Sequence, residues 1–468
     1  MKKTVFALAV CTVCAFAAGM PSVEITAVSQ TPDRTVSVAY TLSDGPAVVT
    51  AAFETNAGEN VWVSLNDAQI SALAGDVNRI VRTDGAYAFV WQPDAALPDR
   101  AIMSGHARVT LTAWPTNDPP PYMAVSLAAA TTSLPANDDS RLRFFPSAEA
   151  VPGGVVSNAE YCMNILLMRK IPACNVVWSM GSCEADSYNG SSRYQPYEAK
   201  HVVTNGENYY MGVFPVTQGQ WAAVVGRHDN ISVLSYGDYA YRRPTENKHM
   251  ACVRAGPFNW LSTVPTSNDH YWPGPPHSDS FLGKLRTLSG IDFDLPGEAQ
   301  WEWACRAGKG DGYWNDGSAI VPNSGGMVPG RTGGSSGTAA INSASDENPY
   351  PPETAGTTLV GSYKPNGWGL YDMHGNIWEL CLDWNPQGDI YNLGGRINAY
   401  YTNYYDNVTG ALVAVNPSSE KGAARFVTRG GAYFLRWDYA LPGARRGGRG
   451  VKTGGFTGFR VVCPAVFH

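Results

Sequence analysis

Residues 366–384 read NGWGLYDMHGNIWELCLDW. This stretch concentrates three Trp, several Gly and three acids, Asp372 and Glu379 among them, in a run with neither a helical nor a strand period. Regular backbone ladders do not hold such a segment. Buried aromatics, glycine turns and side-chain or ion contacts to its backbone must do so instead. Asp372 and Glu379 flank Gly375, Asn376 and Ile377, so carboxylate oxygens and freed carbonyls can converge on one hard cation. Several oxygen ligands from an irregular loop are the chemistry of calcium. The same two acids also suit surface or helix-cap positions, and spacing alone favours that plainer reading.

Three further blocks stand in order around this one. They are YYMGVFPVTQGQW (Tyr209–Trp221) and FDLPGEAQWEWACRAG (Phe293–Gly308) upstream, and TRGGAYFLRW (Thr428–Trp437) running through TGFRVV (Thr457–Val462) downstream. Together they resemble the formylglycine-generating enzyme family, also called the sulfatase-modifying-factor domain, across roughly the last two thirds of the chain. The resemblance implies an α+β, loop-rich fold like that of a C-type lectin domain.

Composition sets the outer bounds. The chain has 468 residues, 16% of them charged and 44% hydrophobic, which suits two or three domains with ample cores and argues against disorder. A net charge of −6 gives nucleic acid no electrostatic footprint. Lys2 and Lys3 precede an apolar run from Val5 to Ala15, and Ala15-Phe16-Ala17 offers a small-x-small cleavage pattern. Residues 1–17 therefore read as a secretory signal peptide, with export to the periplasm, cell surface or exterior. No other run is long and apolar enough to span a bilayer. Cys11 and Cys14 leave with the signal. Of the seven remaining cysteines, the Cys162, Cys174 and Cys183 group is the expected source of a disulfide.

Residues 20–128 read as an all-β sandwich of fibronectin or immunoglobulin type. Val36, Val38, Tyr40 and Leu42 alternate with polar or small residues, as do Val109, Leu111 and Ala113, while Tyr87, Phe89 and Trp91 form an aromatic strand face. A short helix is expected near Asn66–Leu73, and His106 reads as a surface strand residue. Residues 129–158 shift to a linker composition, and 159–468 form the second domain. Its helices are predicted from a T-x-x-Q capping box at Thr217, from Asp279 as the cap before Phe281, and over Glu298–Arg306.

In the family, two cysteines after the RGG motif bind copper(I) and oxidise a substrate cysteine to formylglycine. Soft thiolates are what Cu(I) requires. Counted from Arg429-Gly430-Gly431, those positions hold Leu435 and Ala440 here. The family's active-site serine falls on Ala432 and its asparagine at or beside Phe456, while Trp378 is retained. The resemblance therefore predicts neither copper nor the oxidase chemistry. For calcium it implies the Asp372 side chain, the Gly375 and Ile377 carbonyls and the Glu379 carboxylate. A second, weaker site is implied at Asn342 and the Ser343 carbonyl, with Glu353 beside Pro352 standing in for the family's Asp.

Where the catalytic residues are lost, Tyr433, Phe434, Leu435, Arg436, Trp437, Asp438 and Tyr439 stand, followed by Arg445, Arg446 and Arg449. Aromatic and Arg side chains suit a binding groove with Trp378 as its floor. They suit buried packing and local ion pairs equally. Two functions stay open: an exported binding or accessory scaffold for a protein, peptide or glycan, and a superfamily enzyme using chemistry independent of the cysteine pair.

Overall fold

The computed structural model describes residues 19–56, 61–65, 73–93, 107–128, 139–181, 201–226, 241–245, 253, 275–309, 332–333, 340–341, 357–385, 425–433, 435, 437–447 and 457–467. Two compact units emerge. The first comprises residues 1–126, 135–161 and 465–468, and the second residues 127–134 and 162–464.

The first unit is built from strands β1 (Ser22–Gln30), β2 (Val36–Ser43), β3 (Ala47–Asn56), β4 (Trp62–Ser64), β5 (Leu73–Gly75), β6 (Arg79–Val81), β7 (Gly85–Trp91) and β8 (Ala107–Pro115), with a hairpin of β9 (Tyr122–Ser126) and β10 (Leu142–Phe145). One sheet runs β1-β2-β7-β5. In the other, β3 pairs with β8 on one side and with β4 and β6 on the other. Period-two alternation decides which side chains point inward. Val38, Tyr40, Leu42, Phe89 and Trp91 from the first sheet meet Val49, Ala51, Phe53, Val109 and Leu111 from the second in one core.

One expectation changes here and another falls outside the described residues. Residues 139–145, assigned to a linker on composition, form a 3₁₀ turn (Asp139–Arg141) and β10. Phe144 and Phe145 are buried, and Phe144 packs edge-on against Phe467. Apolar side chains among polar neighbours suffice for one short strand, and composition averages them away. The helix expected near Asn66–Leu73 and the residue His106 lie outside the described residues, apart from Leu73, which begins β5.

The second unit holds β11 (Ile165–Ile171), β12 (Val176–Met180), β13 (His201–Asn205) and β14 (Tyr209–Gly212), then helices α1 (Gln218–Val225), α2 (Phe281–Ser289) and α3 (Glu298–Arg306). Strands β15 (Thr332–Gly333), β16 (Ala340–Ile341), β17 (Trp378–Asn385), β18 (Arg425–Arg429), β19 (Arg445–Gly447), β20 (Thr457–Gly458) and β21 (Val462–Pro464) follow. The sheet β19-β18-β17-β20 carries the candidate site.

Helix α1 starts as expected. Thr217 Oγ1 accepts from Gln220 N at 3.2 Å, and Gln220 Oε1 accepts from Thr217 N at 3.0 Å. For α2 the cap is Ser280, one residue after Asp279, because its hydroxyl reaches Gly283 N at 3.0 Å. Trp221 of α1 stacks on Phe281 of α2 at 5.0 Å, with Phe459 edge-on to both. Among the described residues no helix is long and apolar enough to cross a membrane.

Candidate functional site

The irregular run from Asn366 is held largely by side chains reaching its backbone. Asn366 Oδ1 accepts from Trp368 N and Leu370 N, both at 3.0 Å, while its amide donates to Ala304 O of α3 at 2.7 Å. Four residues adopt left-handed backbone, Gly369 (φ 81°), Asp372 (φ 57°), Gly375 (φ 88°) and Asn376 (φ 65°). Those reversals aim consecutive peptide groups in different directions. Gly375 N donates to Gly430 O at 2.6 Å, which ties the run to the RGG turn. From Trp378 the chain is strand β17, which the sequence hides. Residues 377–381 are all buried, so covering both faces erases the polar half of the alternation.

Glu379 is fully buried and holds Arg460, also fully buried. Arg460 Nε donates to Glu379 Oε2 and Nη2 to Oε1, each at 2.6 Å. Trp301 Nε1 of α3 donates to the same Oε2 at 2.6 Å. Arg460 also donates to the carbonyls of Gly212 (2.9 Å) and Tyr371 (3.0 Å). With three donors upon it, Glu379 is first the buried partner of Arg460, and one carboxylate lone pair remains. Asp372, 3% exposed, accepts from Gly361 N at 2.8 Å through Oδ2, while Oδ1 has no hydrogen-bond partner. Burial lifts its carboxyl to about 6, against the lowering effects of Gly361 N and Arg460. The Gly375 carbonyl accepts from Ile377 N at 2.9 Å. Asn342, Ser343 and Glu353, named for a second cation, lie outside the described residues.

A second buried network underlies the sheet. Glu298 Oε1 takes Arg429 Nη2 at 2.6 Å and Nε at 2.7 Å, and its Oε2 takes Arg445 Nη2 at 2.8 Å. Glu302 Oε1 accepts from Gly181 N (2.9 Å) and Arg306 Nε (2.8 Å), and its Oε2 lies 2.9 Å from Arg429 Nη1. Asp383 accepts from Glu298 N. Burial, then the neighbouring Glu298 charge, holds the Asp383 carboxyl well above its usual range. Sequence reasoning missed this set. Its signal was Glu298, Glu302 and Arg306 at i, i+4 and i+8, one charged stripe on a helix otherwise read for its apolar face.

The segment at the family's catalytic position follows directly. Ala432 and Ala440 are fully buried and Leu435 is partly buried, its N–H donating to Ala432 O at 3.0 Å. A Cβ on Gly431 (φ 80°) would lie 2.9 Å from Tyr439 O, so the turn requires glycine. His374, fully buried and unnoticed in the sequence, donates from Nδ1 to Ala440 O at 2.7 Å, with Nε2 3.9 Å from Cys305 Sγ.

Trp378 is 1% exposed and meets Tyr439 edge-on at 6.4 Å, so it supports the segment from beneath. Its Nε1 has no partner. Tyr433 is partly buried, and its N–H donates to Asn376 O at 3.0 Å. Trp437 and Asp438 begin a 3₁₀ turn, but their side chains, with Phe434, Arg436, Arg446 and Arg449, lie outside what the structure describes. Arg445 is spent on Glu298, which matches the ion-pair alternative for that arginine.

The expected disulfide is not found at Cys162 or Cys174. Both are free thiols, as are Cys305, Cys381 and Cys463. Cys162 is buried, which raises its thiol to about 11, whereas Cys174 is exposed. Cys183 and Cys252 lie outside the described residues.

With this geometry in place, comparison with known proteins settles the family. Residues 172–465, more than half of the chain, match the sulfatase-modifying factor enzyme 1-like domain, and the chain belongs to that family. The formylglycine-generating enzyme of Mycobacterium tuberculosis is 36% identical over 223 residues, 41% of this chain and 68% of that protein. Those of Thermomonospora curvata and Streptomyces coelicolor are 33% and 31% identical, over 19% and 31% of this chain. The chain spans only 27% and 37% of their respective lengths. Among solved structures, PvdO from Pseudomonas aeruginosa aligns at 18% identity and TM-score 0.40, over 64% of this chain and 94% of that one. Treponema denticola variable protein 1 aligns at 23% and 0.38, over 64% and 95%. These two likenesses are too distant to carry an argument.

Proposed function

We propose that this chain is an exported binding or accessory protein whose sulfatase-modifying-factor domain has given up copper oxidase chemistry. The observation that carries the reading is the pair Leu435 and Ala440 where the family places its two thiolates. An aliphatic side chain and a methyl group offer Cu(I) no ligand, and no hard oxygen ligand substitutes for the soft sulfur. Ala440 is moreover sealed in the core, its carbonyl held by His374.

In this reading the second unit takes the C-type-lectin-like fold of its family, and the first serves as a fibronectin- or immunoglobulin-like spacer or adhesion module. The ligand surface is formed by Tyr433, Phe434, Arg436, Trp437 and Asp438 over Trp378. Its partner is a protein, peptide or glycan. A structural calcium ion is held by Asp372, the Gly375 and Ile377 carbonyls and the remaining lone pair of Glu379. One observation supports the ion: the buried Asp372 Oδ1, which has no hydrogen-bond partner. Arg460 offsets part of the negative charge, so the ion's contribution is centred on Asp372.

The test is incubation of the full chain with a sulfatase-type CxPxR peptide, with and without copper, followed by mass spectrometry. The peptide is expected to remain a cysteine peptide. Conversion to the aldehyde would overturn the reading.

A further inference from the structure

Strand β17 loses its register with β18 between Leu380 and Trp384. Such a bulge bends a strand and re-aims the residues within it. Here two of them reach the start of α3. Leu382 N donates to Pro296 O at 2.9 Å, and the Asp383 carboxyl accepts from Glu298 N. The helix N-cap is Gly297, which has no side chain, so Asp383 supplies a capping oxygen from another element.

That carboxyl lies among charges. From α3 it meets Glu298, with Glu302 and Arg306 one and two turns further on; β18 brings Arg429, β19 brings Arg445, and Cys381 precedes it on β17 itself. All three arginines hold the other two acids: Arg306 takes Glu302, Arg429 takes both, and Arg445 takes Glu298. Against burial, Arg306 and Arg429 keep the Glu302 carboxyl below its usual range. Asp383 is 5% exposed, and its hydrogen bond comes from an uncharged peptide group. A buried carboxylate so placed is costly and a protonated one is not, in line with the raised value that burial and Glu298 give it.

The neutral acid still accepts from Glu298 N through its carbonyl oxygen. Loss of the proton sets a second negative charge beside Glu298. Arg429 is held in place by both glutamates and by the carbonyls of Pro442 (2.9 Å) and Ala444 (3.4 Å). Arg445 reaches Glu298 through Nη2 at 2.8 Å and opens β19, where it stands opposite Arg429 in the β18–β19 ladder. We propose that Asp383 is a proton switch, whose ionisation draws Arg445 away from Glu298 and loosens β19 and residues 437–444 before it. At acid pH the segment is clamped, and above the transition it is released. What this does to binding rests on the ligand surface proposed above, whereas the switch itself is read without a ligand, so the two can fail separately.

The experiment follows hydrogen exchange of the full chain by mass spectrometry, in chelator, in steps from about pH 4 to about pH 9, each rate being scaled to its intrinsic value. The peptide covering residues 437–447 is expected to lose protection at least tenfold through one titration step, while helix α1 stays flat. Asp383→Asn, neutral at every pH, should keep the protection of the acidic end throughout. Asp383→Ser, a smaller neutral acceptor, serves if that variant fails to fold. Asp372, lifted to about 6 by burial, also titrates in this unit, so the step should survive in Asp372→Asn. A wild-type profile without a step, a step that persists in the neutral Asp383 variants, or one lost in Asp372→Asn would each overturn the proposal. So would an equal step in α1, which marks loosening of the whole unit.

Discussion

Removing either member of the Glu379–Arg460 pair should cost the second unit about 3–5 kcal/mol, the range for breaking a buried ion pair from one side. Both residues are 0% exposed, so no solvent stands ready to replace a lost partner. Glu379→Met strands three donors, two from Arg460 and one from Trp301, each now 2.6 Å from its acceptor. Charge-assisted bonds are worth roughly 1.5–3 kcal/mol each, but they share one carboxylate and do not add. Arg460→Met strands Glu379 and also the carbonyls of Gly212 and Tyr371. Replacing both residues by Met removes both charges together, and a buried pair exchanged for packed apolar groups is often close to neutral. The double variant should therefore be at least 2 kcal/mol more stable than the sum of the single costs implies, a coupling within the usual range for contacting residues. The assay is urea denaturation of all four proteins in chelator, followed by a signal that separates the two units. Single costs below about 1 kcal/mol, or strict additivity, would refute the claim that this pair pins the irregular run.

If calcium sits on Asp372, chelation should lower the melting temperature of the second unit, by the equivalent of about 2.7 kcal/mol from a hundredfold excess over Kd. Asp372→Asn should abolish that response, and an unchanged wild-type melting curve in chelator would count against the ion. Asp383, held well above the usual carboxylate range by burial and Glu298, binds its proton more tightly folded than unfolded. Stability should therefore fall as pH rises above the ordinary value of 3.8 and level off past the folded one. Asp383→Asn should flatten this part of the profile, so its stability relative to wild type should rise between pH 4 and pH 7; parallel profiles would rule that out. Trp437→Ala should cost a ligand on the order of 2 kcal/mol with little effect on folding if Trp437 faces the groove. A loss of roughly 3–5 kcal/mol in urea would place it in the core instead.

How much of this could be read from the chain depended on whether a residue's role left a periodic trace. Val38, Tyr40 and Leu42 alternate with half-buried neighbours, so strand β2 was visible. Thr217 and Gln220 sit three apart before an apolar turn, so the start of α1 was visible too. Strand β17 was not, because its first residues are buried on both faces. The cap of α2 was misplaced by one residue because Asp279 and Ser280 are both good caps, and only the reach to Gly283 N separates them. Glu379 was legible as important, but its partner lies 81 positions away at Arg460, and no local spacing encodes such a pairing. The buried acids of α3 looked like ordinary helix-surface charge for the same reason, since two of their three arginines come from β18 and β19.

These pairings also explain why the segment at the family's catalytic position can change without loss of the fold. Arg429 closes its N-terminal side by binding Glu298 and Glu302, and Arg460 lies beyond its C-terminal side, bound to Glu379 and Trp301's acceptor oxygen. Gly431 and Gly458 let the backbone pass where a Cβ would strike Tyr439 on one side and Thr245 or Ile377 on the other. The anchors are thus the RGG and GFR blocks themselves, the parts of the segment the chain has kept. Leu435, between them, contributes no anchor among these contacts, and Ala440 contributes only a backbone carbonyl to His374. A thiolate at either position would add nothing to the clamp. It follows that Leu435→Cys should leave urea stability within about 0.5 kcal/mol, as for substitutions away from such anchors. At Ala440, fully buried and crowded by the Gly431 turn, a larger side chain should cost about 1–3 kcal/mol from overpacking. Stability that fell equally at both positions would show that the segment is itself part of the clamp. The fold would then depend on the side chains of that segment as well as on its two anchors.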